Sequence, residues 1–235
     1  MKIGGFQKNS LIDFPETIAC VVFTVGCNFI CPYCHNPELV STTEIKKNAI
    51  QIKEEEIFFF LEKRKKLVDG VVITGGEPTL HKDLENFCFK IKNMGYLVKL
   101  DTNGTNPLVL KNLIQKQLLD FIAMDIKTSL KAYFLVAGKK INTELIKESI
   151  ELIIEKAPLY EFRTTCVRPY INKKIIFDIG EMIKGASNYI LQQCSTNVKV
   201  LNPEFLKNQK RFFSNKEMIE LKILVQKNVK KCLIR

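Results

Sequence analysis

Residues 71–101, VVITGGEPTLHKDLENFCFKIKNMGYLVKLD, decide the fold class because they contain one complete strand–helix–strand unit. Apolar, β-branched runs at residues 71–74 and 96–101 predict two strands that are buried on both faces, as in a parallel sheet. The apolar residues between the two runs recur on one helical face: Leu84, Phe87, Ile91 and Met94. Gly95 follows them as a helix stop signal. Because a crossover of this kind is right-handed, the two strands are expected to lie parallel in one sheet.

The same alternation of strands and helices continues along the rest of the chain. Short β-branched runs, several of them apolar almost throughout, predict four more strands, at residues 18–24, 121–126, 160–167 and 188–193. Periodicity or capping signals predict further helices: after Asn106-Pro107, at residues 145–154, at residues 175–183, and after a capping box at residues 214–217. Six such units indicate an α/β fold with mostly parallel strands and are too few for a closed eight-stranded barrel. An open partial barrel and a flat doubly wound sheet both fit the pattern, and in either one ligands bind at the carboxyl ends of the strands.

The composition indicates one soluble globular domain that spans residues 1–235. The chain has 235 residues, of which 46% are hydrophobic and 26% are charged, enough to bury a substantial core. No apolar run approaches the roughly 18 residues that a membrane span needs, and the first residues contain no apolar signal region. We therefore expect a cytoplasmic protein without a membrane partner. Residues 201–235 are expected to form a helical C-terminal extension of the domain.

The formal net charge of the chain is +11, which bears on the kinds of molecule that it can bind. Such a charge is compatible with a nucleic-acid surface, with an acidic protein partner, or with a generally lysine-rich composition. The lysines are scattered along the chain and are not interleaved with aromatic residues, as they are on surfaces that stack bases. The sequence therefore argues against nucleic-acid binding.

The eight cysteines fall into two groups. Five are isolated among apolar residues, where a cysteine usually acts as a small core hydrophobe: Cys20, Cys88, Cys166, Cys194 and Cys232. The other three, Cys27, Cys31 and Cys34, lie within eight residues directly after the first predicted strand. Three thiolates so spaced can surround one soft metal centre from a single loop, either an iron–sulfur cluster or, with His35 as a fourth ligand, zinc. Because His35 is adjacent to Cys34 and structural zinc sites usually have two separated ligand pairs, the spacing favours a cluster.

Polar residues also follow the next three predicted strands. The second strand ends at Gly75-Gly76-Glu77-Pro78, where paired glycines allow either close approach to a ligand or a tight turn. The third ends at Asp101-Thr102-Asn103-Gly104. The fourth ends at Asp125-Ile126-Lys127, where the alternation points the aspartate and the lysine to one face. Charges at the end of a buried strand are costly unless they pair with each other or bind a ligand, and the sequence leaves both open.

The Cys-x3-Cys-x2-Cys loop and the Gly-Gly-Glu-Pro turn resemble the radical S-adenosylmethionine (radical SAM) superfamily. The resemblance implies an open partial (β/α)6 barrel of the TIM-barrel kind, with a [4Fe–4S] cluster on Cys27, Cys31 and Cys34. It implies that the fourth iron binds the amino and carboxylate groups of S-adenosylmethionine. In the superfamily a turn like that of residues 75–78 binds the methionine amino group. Tyr33 and His35, which flank Cys34, are then expected to contact the cofactor.

The third and fourth strand ends are similar to those of the glycyl-radical-enzyme activases, which include the pyruvate formate-lyase activating enzyme. That resemblance implies that five residues surround the methionine and the ribose: Asp101, Thr102, Asn103, Asp125 and Lys127. The aspartates can also hold a monovalent cation in these activases. Arg163 resembles the arginine that meets the methionine carboxylate, although a surface salt bridge is an alternative. Gln192 stands near the position where some activases have a ribose-contacting histidine.

Two further stretches indicate the branch of the superfamily. Cys34-His35-Asn36 looks like the activases, whereas the deazaguanine-forming synthases more often place an aspartate after the third cysteine. Residues 4–15, GGFQKNSLIDFP, resemble the anaerobic ribonucleoside-triphosphate reductase activating proteins of the pyruvate formate-lyase-activase-like type. Glu16 departs from that pattern, because a glycine is usual after the proline.

The resemblance implies a reaction and two partners. One electron from a low-potential donor such as flavodoxin or ferredoxin cleaves S-adenosylmethionine, and the resulting 5′-deoxyadenosyl radical takes a hydrogen from a glycine of a partner enzyme. The expected partner is a glycyl radical enzyme, with anaerobic ribonucleotide reductase the specific expectation. Two alternatives remain: a small-molecule radical SAM enzyme such as 7-carboxy-7-deazaguanine synthase, and a zinc-binding module without catalysis.

Overall fold

The computed structural model describes residues 1–40 and 52–235, and its strands form one open sheet in chain order. The eight strands are β1 Ile3–Ser10, β2 Ala19–Thr24, β3 Gly70–Gly75, β4 Leu97–Thr102, β5 Phe121–Asp125, β6 Tyr160–Cys166, β7 Asn188–Gln193 and β8 Lys231–Ile234. The six predicted strands correspond to β2 through β7. The α/β class with an open, mostly parallel sheet is therefore confirmed.

Helices connect these strands as the periodicity predicts. The described helices are α1 Pro37–Val40, α2 Glu54–Lys63, α3 Leu84–Asn93, α4 Pro107–Gln115, α5 Tyr133–Ala137, α6 Thr143–Lys156, α7 Lys173–Met182, α8 Pro203–Lys207 and α9 Asn215–Val225. The predicted capping box at the start of α9 is present, because the Ser214 N–H donates to the Glu217 carboxylate at 2.8 Å and the Glu217 N–H donates to the Ser214 hydroxyl at 3.4 Å.

Parallel register brings strand ends to the same edge. Strands β2 and β3 pair in parallel from Ala19↔Gly70 to Thr24↔Gly75, and β3 pairs in parallel with β4. Strands β6, β7 and β8 form a second parallel run. The functional residues predicted at the carboxyl ends of β2, β3 and β4 thus follow one edge of the sheet.

The two outer strands were not predicted from the sequence. Strand β1 pairs antiparallel with β2, but six of the eight residues in its sequence IGGFQKNS are polar or glycine, and only its two end residues are buried. Strand β8 has four residues and lies inside the predicted helical extension 201–235, where it pairs in parallel with β7. Neither strand has the continuous apolar run that identifies a buried strand.

The chain divides into two compact units. The first comprises residues 1–28, 38–102 and 108–122, and its buried residues include apolar side chains of the sheet together with Ile57 and Leu61 of α2. The second comprises residues 29–37, 103–107 and 123–235. Its core includes the buried Tyr189, whose hydroxyl donates to the Thr164 hydroxyl at 2.7 Å. That the whole chain is one domain stays a prediction.

Within residues 1–40 and 52–235, no helix combines the length and the apolar character that crossing a bilayer requires.

Glu16, in the exposed turn after Pro15, has a backbone conformation that glycine usually adopts. The φ of Glu16 is +59°, in the left-handed region, so the departure noted in the sequence places a side chain where glycine is favoured.

We expect Glu16→Gly to stabilise the protein slightly. Relief of left-handed strain, about 1–2 kcal/mol, exceeds the extra chain entropy of glycine, about 0.5–1 kcal/mol, and leaves a gain of about 0.5 kcal/mol in the free energy of unfolding. Urea denaturation measures the change, with Glu16→Ala as the control that keeps the strain. A glycine variant no more stable than the alanine variant would contradict the prediction.

Candidate functional site

The three clustered cysteines lie on the loop between β2 and α1. Cys31 is buried, while Cys27 and Cys34 are half-buried. The Cys34 N–H donates to the Cys31 carbonyl at 3.0 Å, a tight turn that presents both thiols from one short segment. Among the described residues, no three histidine, cysteine, aspartate or glutamate side chains converge closely enough to hold a single metal ion. An iron–sulfur cluster does not require that convergence, because each of its thiolates binds a different iron.

The five isolated cysteines are core thiols, as predicted. All five are buried. Burial raises the pKa of the Cys20, Cys88 and Cys166 thiols to about 12 and that of Cys232 to about 11. Since the thiolate is the form that binds metals, these side chains are poor ligands at neutral pH.

The Gly-Gly-Glu-Pro turn of the first unit packs against the start of the cysteine loop. The Gly76 N–H donates to the Thr24 carbonyl at 2.9 Å, and the Glu77 N–H donates to the Gly26 carbonyl at 2.8 Å. A Cβ on Gly76 would lie 2.0 Å from the Gly26 oxygen, and Gly75 has a φ of +109°. The close approach that these glycines permit is therefore to the backbone of the protein itself, and their contact with a cofactor stays a prediction.

We expect Gly76→Ala to lower the free energy of unfolding by about 2 kcal/mol, because its Cβ forces two backbone segments apart. Gly95→Ala is the matched control: Gly95 has a φ of +91° but nothing within 4 Å of its Cβ position. The Gly95→Ala control is expected to lower the free energy of unfolding only by the left-handed backbone strain of about 1 kcal/mol. Urea denaturation of both variants measures the difference. Equal losses of stability would show that the backbone contact at Gly76 is unimportant.

Glu77 is a buried carboxylate of the first unit that accepts hydrogen bonds from Thr79 and from the predicted site residue Thr102. Its Oε1 accepts hydrogen bonds from the Thr79 N–H at 3.1 Å, the Thr79 hydroxyl at 2.6 Å and the Thr102 hydroxyl at 2.8 Å. Buried polar groups require such partners. The end of β3 and the end of β4 are thus fixed to each other through Glu77 and Thr102.

Lys99 is a buried lysine beside Asp101 that the sequence analysis did not identify as part of the site. The Lys99 ammonium forms an ion pair with the Asp101 carboxylate and lies 5.8 Å from the centre of the Phe121 ring. The signal for it was present, because Lys99 interrupts the apolar run of β4 two residues before Asp101. This is the spacing that Asp125 and Lys127 show on the next strand.

In the second unit, Asp125, Lys127 and Arg163 form a partly buried charge triad. The Arg163 Nε donates to Asp125 Oδ1 and the Lys127 Nζ donates to Asp125 Oδ2, both at 2.8 Å. The side chains are 27%, 16% and 13% exposed, respectively. The shared face predicted for Asp125 and Lys127 is confirmed, and Arg163 joins them instead of lying in a surface salt bridge. Two cations against one carboxylate leave the triad with a net positive charge, which suits a carboxylate ligand.

The triad shifts the pKa of its own members. Burial alone would raise the pKa of Asp125, but the charges of Arg163 and Lys127 outweigh it and hold that pKa well below its usual value. Burial would lower the pKa of Lys127, but the Asp125 carboxylate outweighs it and raises that pKa. All three groups are therefore charged across the physiological pH range.

Tyr33, within the cysteine loop, has a buried hydroxyl without a hydrogen-bond partner in the described part of the chain. The side chain is 4% exposed, and burial raises its pKa well above the usual value. A buried donor left unmatched is costly, so it marks a place where a ligand can supply the missing acceptor.

The remaining predicted residues lie in the second unit. Burial, followed by the nearby Lys127 charge, lowers the pKa of His35 and favours the neutral imidazole at pH 7. The Asn103 Oδ1 accepts hydrogen bonds from the Thr105 N–H at 3.1 Å and from the Thr105 hydroxyl at 2.7 Å, which fixes the turn after β4. Gln192 is half-buried on β7 in register with Thr165 of β6.

Comparisons with known proteins identify the family of the chain. The sequence model of the Radical SAM superfamily matches residues 21–174, a range that contains every predicted site residue except Gln192. A Methanocaldococcus jannaschii protein that carries the name of a glycyl-radical enzyme activating enzyme is 34% identical over 197 residues, which cover 81% of this chain and 79% of the relative.

Two further likenesses cover the chain differently. The 7-carboxy-7-deazaguanine synthase of Aquifex aeolicus is 35% identical over 80 residues, which cover 34% of this chain and 33% of the synthase. Among solved structures, a domain of the pyruvate-formate lyase-activating enzyme from Bacteroides vulgatus has a TM-score of 0.54 at 16% identity, covering 71% of this chain and 99% of that domain. At that identity, the structural likeness supports the fold alone.

Proposed function

Because this chain belongs to the radical SAM superfamily, we propose that it is an activating enzyme that generates a glycyl radical on a partner protein. The superfamily is one of enzymes that use a [4Fe–4S] cluster and S-adenosylmethionine. The observation that carries the activating role is the 34% identity, over 81% of this chain, to the relative with that name. The cysteine loop, the Gly-Gly-Glu-Pro turn and the charge triad support the same chemistry.

The residues of the chain suit both cofactors. Cys27, Cys31 and Cys34 are proposed to hold the cluster, because three soft ligands on one loop leave one iron for a further ligand. The net positive triad suits the methionine carboxylate, and the Tyr33 hydroxyl is a buried donor that lacks an acceptor. Each donor set thus matches the chemistry of the group that it is proposed to bind.

When bound, the two cofactors supply the reductive cleavage of a sulfonium to methionine and a 5′-deoxyadenosyl radical, which takes a hydrogen atom from a glycine. The side chains of this protein are proposed to bind and orient. Arg163 and Lys127 hold the carboxylate of methionine, and Glu77 lies at the turn proposed for its amino group. Asp101, Thr102 and Asn103 are proposed to position the ribose, with Gln192 at a further ribose contact. The Tyr33 side chain is 4% exposed, so a group that accepts from its hydroxyl is shielded from water.

Lysine and arginine side chains of the protein pair with the same carboxylates that are predicted to bind a monovalent cation. Asp101 pairs with Lys99, and Asp125 pairs with both Lys127 and Arg163. Protein cations therefore already neutralise both carboxylates, and the cation site stays a prediction.

Anaerobic ribonucleoside-triphosphate reductase is the glycyl radical enzyme that we propose as partner. Residues 4–15 and Cys34-His35-Asn36 support that choice, since both resemble its activating proteins. The net charge of +11 suits docking of an acidic protein surface. A low-potential donor such as flavodoxin or ferredoxin is proposed to supply the electron.

A small-molecule reaction of the 7-carboxy-7-deazaguanine synthase type is the second candidate. The 35% identity to the Aquifex aeolicus synthase favours it, but over 80 residues only. The two candidates differ in what accepts the radical: a glycine in a protein, or a free substrate.

Electron paramagnetic resonance tests the proposal directly. The reconstituted, reduced protein is incubated anaerobically with S-adenosylmethionine and, in separate samples, with anaerobic ribonucleotide reductase, with pyruvate formate-lyase, or with the substrate of the deazaguanine synthase. We expect a glycyl radical signal in the reductase sample alone. A signal in the lyase sample alone would show that pyruvate formate-lyase, and not the reductase, is the partner. Turnover of the free substrate without any protein radical would establish the second candidate.

A further inference from the structure

The C-terminal segment reaches back to the cysteine loop within the second unit. The Leu201 N–H donates to the Cys34 carbonyl at 3.0 Å, and the Asn202 N–H donates to the Pro32 carbonyl at 2.9 Å. These two consecutive amides thus bond the carbonyls on either side of Tyr33. An irregular loop must satisfy its buried carbonyls, and here a segment almost 170 positions later in the chain does so.

A cluster of three aromatic rings extends this contact. The Phe205 ring lies 6.0 Å from the ring of Tyr33 and stacks on Tyr170 at 5.9 Å with an interplanar angle of 9°. The Tyr170 ring is also 5.7 Å from the Tyr33 ring, centre to centre. The Arg211 guanidinium, six residues further along the C-terminal segment, lies 4.1 Å from the centre of the Phe205 ring. Two rings from elsewhere in the chain therefore hold Tyr33.

The segment is itself fixed to the ends of strands. The Arg168 N–H donates to the Arg211 carbonyl at 2.8 Å, and its Nη1 donates to the Phe212 carbonyl at 3.0 Å. The Gln193 Nε2, at the end of β7, donates to the Phe213 carbonyl at 2.8 Å. These hydrogen bonds attach residues 211–213 to the ends of β6 and β7, within the same unit as the cysteine loop's Cys31 and Cys34.

We propose that residues 201–205, here called the strap, together with Tyr170 position the Cys31–Cys34 turn and so control how firmly the loop retains its cluster and at what potential the cluster is reduced. Groups that surround metal ligands set solvent access, hydrogen bonding to the ligands and reduction potential. The strap acts on the backbone that carries the ligands, because its two amides donate to the Pro32 and Cys34 carbonyls and its Phe205 ring packs on Tyr33. Phe205 is a positioning residue, because it acts on the loop through Tyr33. The inference rests on the cluster assignment of the proposed function.

Phe205→Ala removes the ring without touching a proposed ligand. After anaerobic reconstitution, the rate of iron loss to a chelator and the reduction potential by spectroscopic titration are measured for each protein. We expect Phe205→Ala to lose iron about 10-fold faster, the lower end of the effect of outer-shell partners on metal affinity. Its potential is expected to shift from that of the wild type. Phe205→Tyr keeps the ring and is expected to restore both values.

Phe177→Ala is the matched control, because Phe177 is a half-exposed phenylalanine on α7 of the same unit and is expected to behave as the wild type. Phe205→Leu retains most of the apolar volume and replaces the alanine variant if that variant does not fold. It is expected to lose iron faster than Phe205→Tyr.

If the wild type and the Phe205 variants lose iron at equal rates and have equal reduction potentials, the proposed role of the strap is wrong. The assignment of the cluster to the cysteine loop would be unaffected. A wild type that binds no iron would overturn the proposed function and this inference together.

Discussion

The Cys31→Ala protein is expected to lose its cluster and, with it, the cleavage of S-adenosylmethionine. A cluster held by only three thiolates has no spare protein ligand, and Cys31 is the buried member of the three. Even outer-shell partners of metal ligands change affinity by about 10–100-fold, so loss of a direct ligand is expected to reduce cleavage by more than about 100-fold. Iron and sulfide per chain, together with the visible absorbance of the reconstituted protein, measure the first effect.

Cys166→Ala is the control for that experiment. Its thiol is buried in the second unit, and burial raises its pKa to about 12, so it is expected to take no part in metal binding. The Cys166→Ala protein is expected to keep the iron content of the wild type. If Cys31→Ala retained a full cluster, or if Cys166→Ala lost it, the assignment of the cysteine loop would be wrong.

Asp125→Asn is expected to have the largest effect on stability. The substitution keeps the shape of the side chain but leaves Lys127 and Arg163 partly buried without the carboxylate that each contacts at 2.8 Å. Breaking a fully buried pair typically costs about 3–5 kcal/mol, and the partial exposure of Asp125 reduces the expected loss to about 2–3 kcal/mol. For a chain of this size, that corresponds to a fall in Tm of roughly 4–12 °C.

The loss is expected to be the same at every pH between about 5 and 9. The pKa of Asp125 is lowered on folding, so its contribution is present above the unfolded value of about 3.9 and is lost only as the pH falls through the lowered value. The pKa of Lys127 is raised, so its contribution is present below about 10.4 and is lost only as the pH rises through the raised value. Thermal melts of both proteins across this range measure the difference.

Asp178→Asn is the control for the triad. Asp178 pairs with Lys174 at 3.1 Å on the surface of α7, where both side chains are exposed. Loss of an exposed pair is expected to cost less than about 1 kcal/mol. Equal effects of the two substitutions would show that the triad is an ordinary surface network.

The order of elements was predictable because β2, β3 and β5 are apolar almost throughout, and because helical patterns separate them from the shorter apolar or β-branched runs of β4, β6 and β7. The capping box at Ser214 and the shared face of Asp125 and Lys127 were predictable for the same reason, since both depend on residues close in sequence. Strand β1 was missed because its alternation is broken by two glycines, and β8 because four residues give no period to read.

The contacts that sequence reasoning could not supply are those between distant segments. The sequence left open whether the paired glycines form a tight turn or admit a ligand, and it gave no sign that the close neighbour of Gly76 is the carbonyl of Gly26. The link from Glu77 to Thr102 and the contact of Phe205 with Tyr33 join positions 25 and more residues apart. No local pattern encodes which distant partner satisfies a buried carbonyl or ring, so only the folded chain reveals them.

Quantification of 5′-deoxyadenosine tests the central claim most directly. The wild-type protein is reconstituted anaerobically, reduced and incubated with S-adenosylmethionine, and the nucleoside products are separated and measured. We predict 5′-deoxyadenosine that appears only when both the reductant and the cluster are present. A protein with its full complement of iron and sulfide that forms no 5′-deoxyadenosine under these conditions would contradict the assignment.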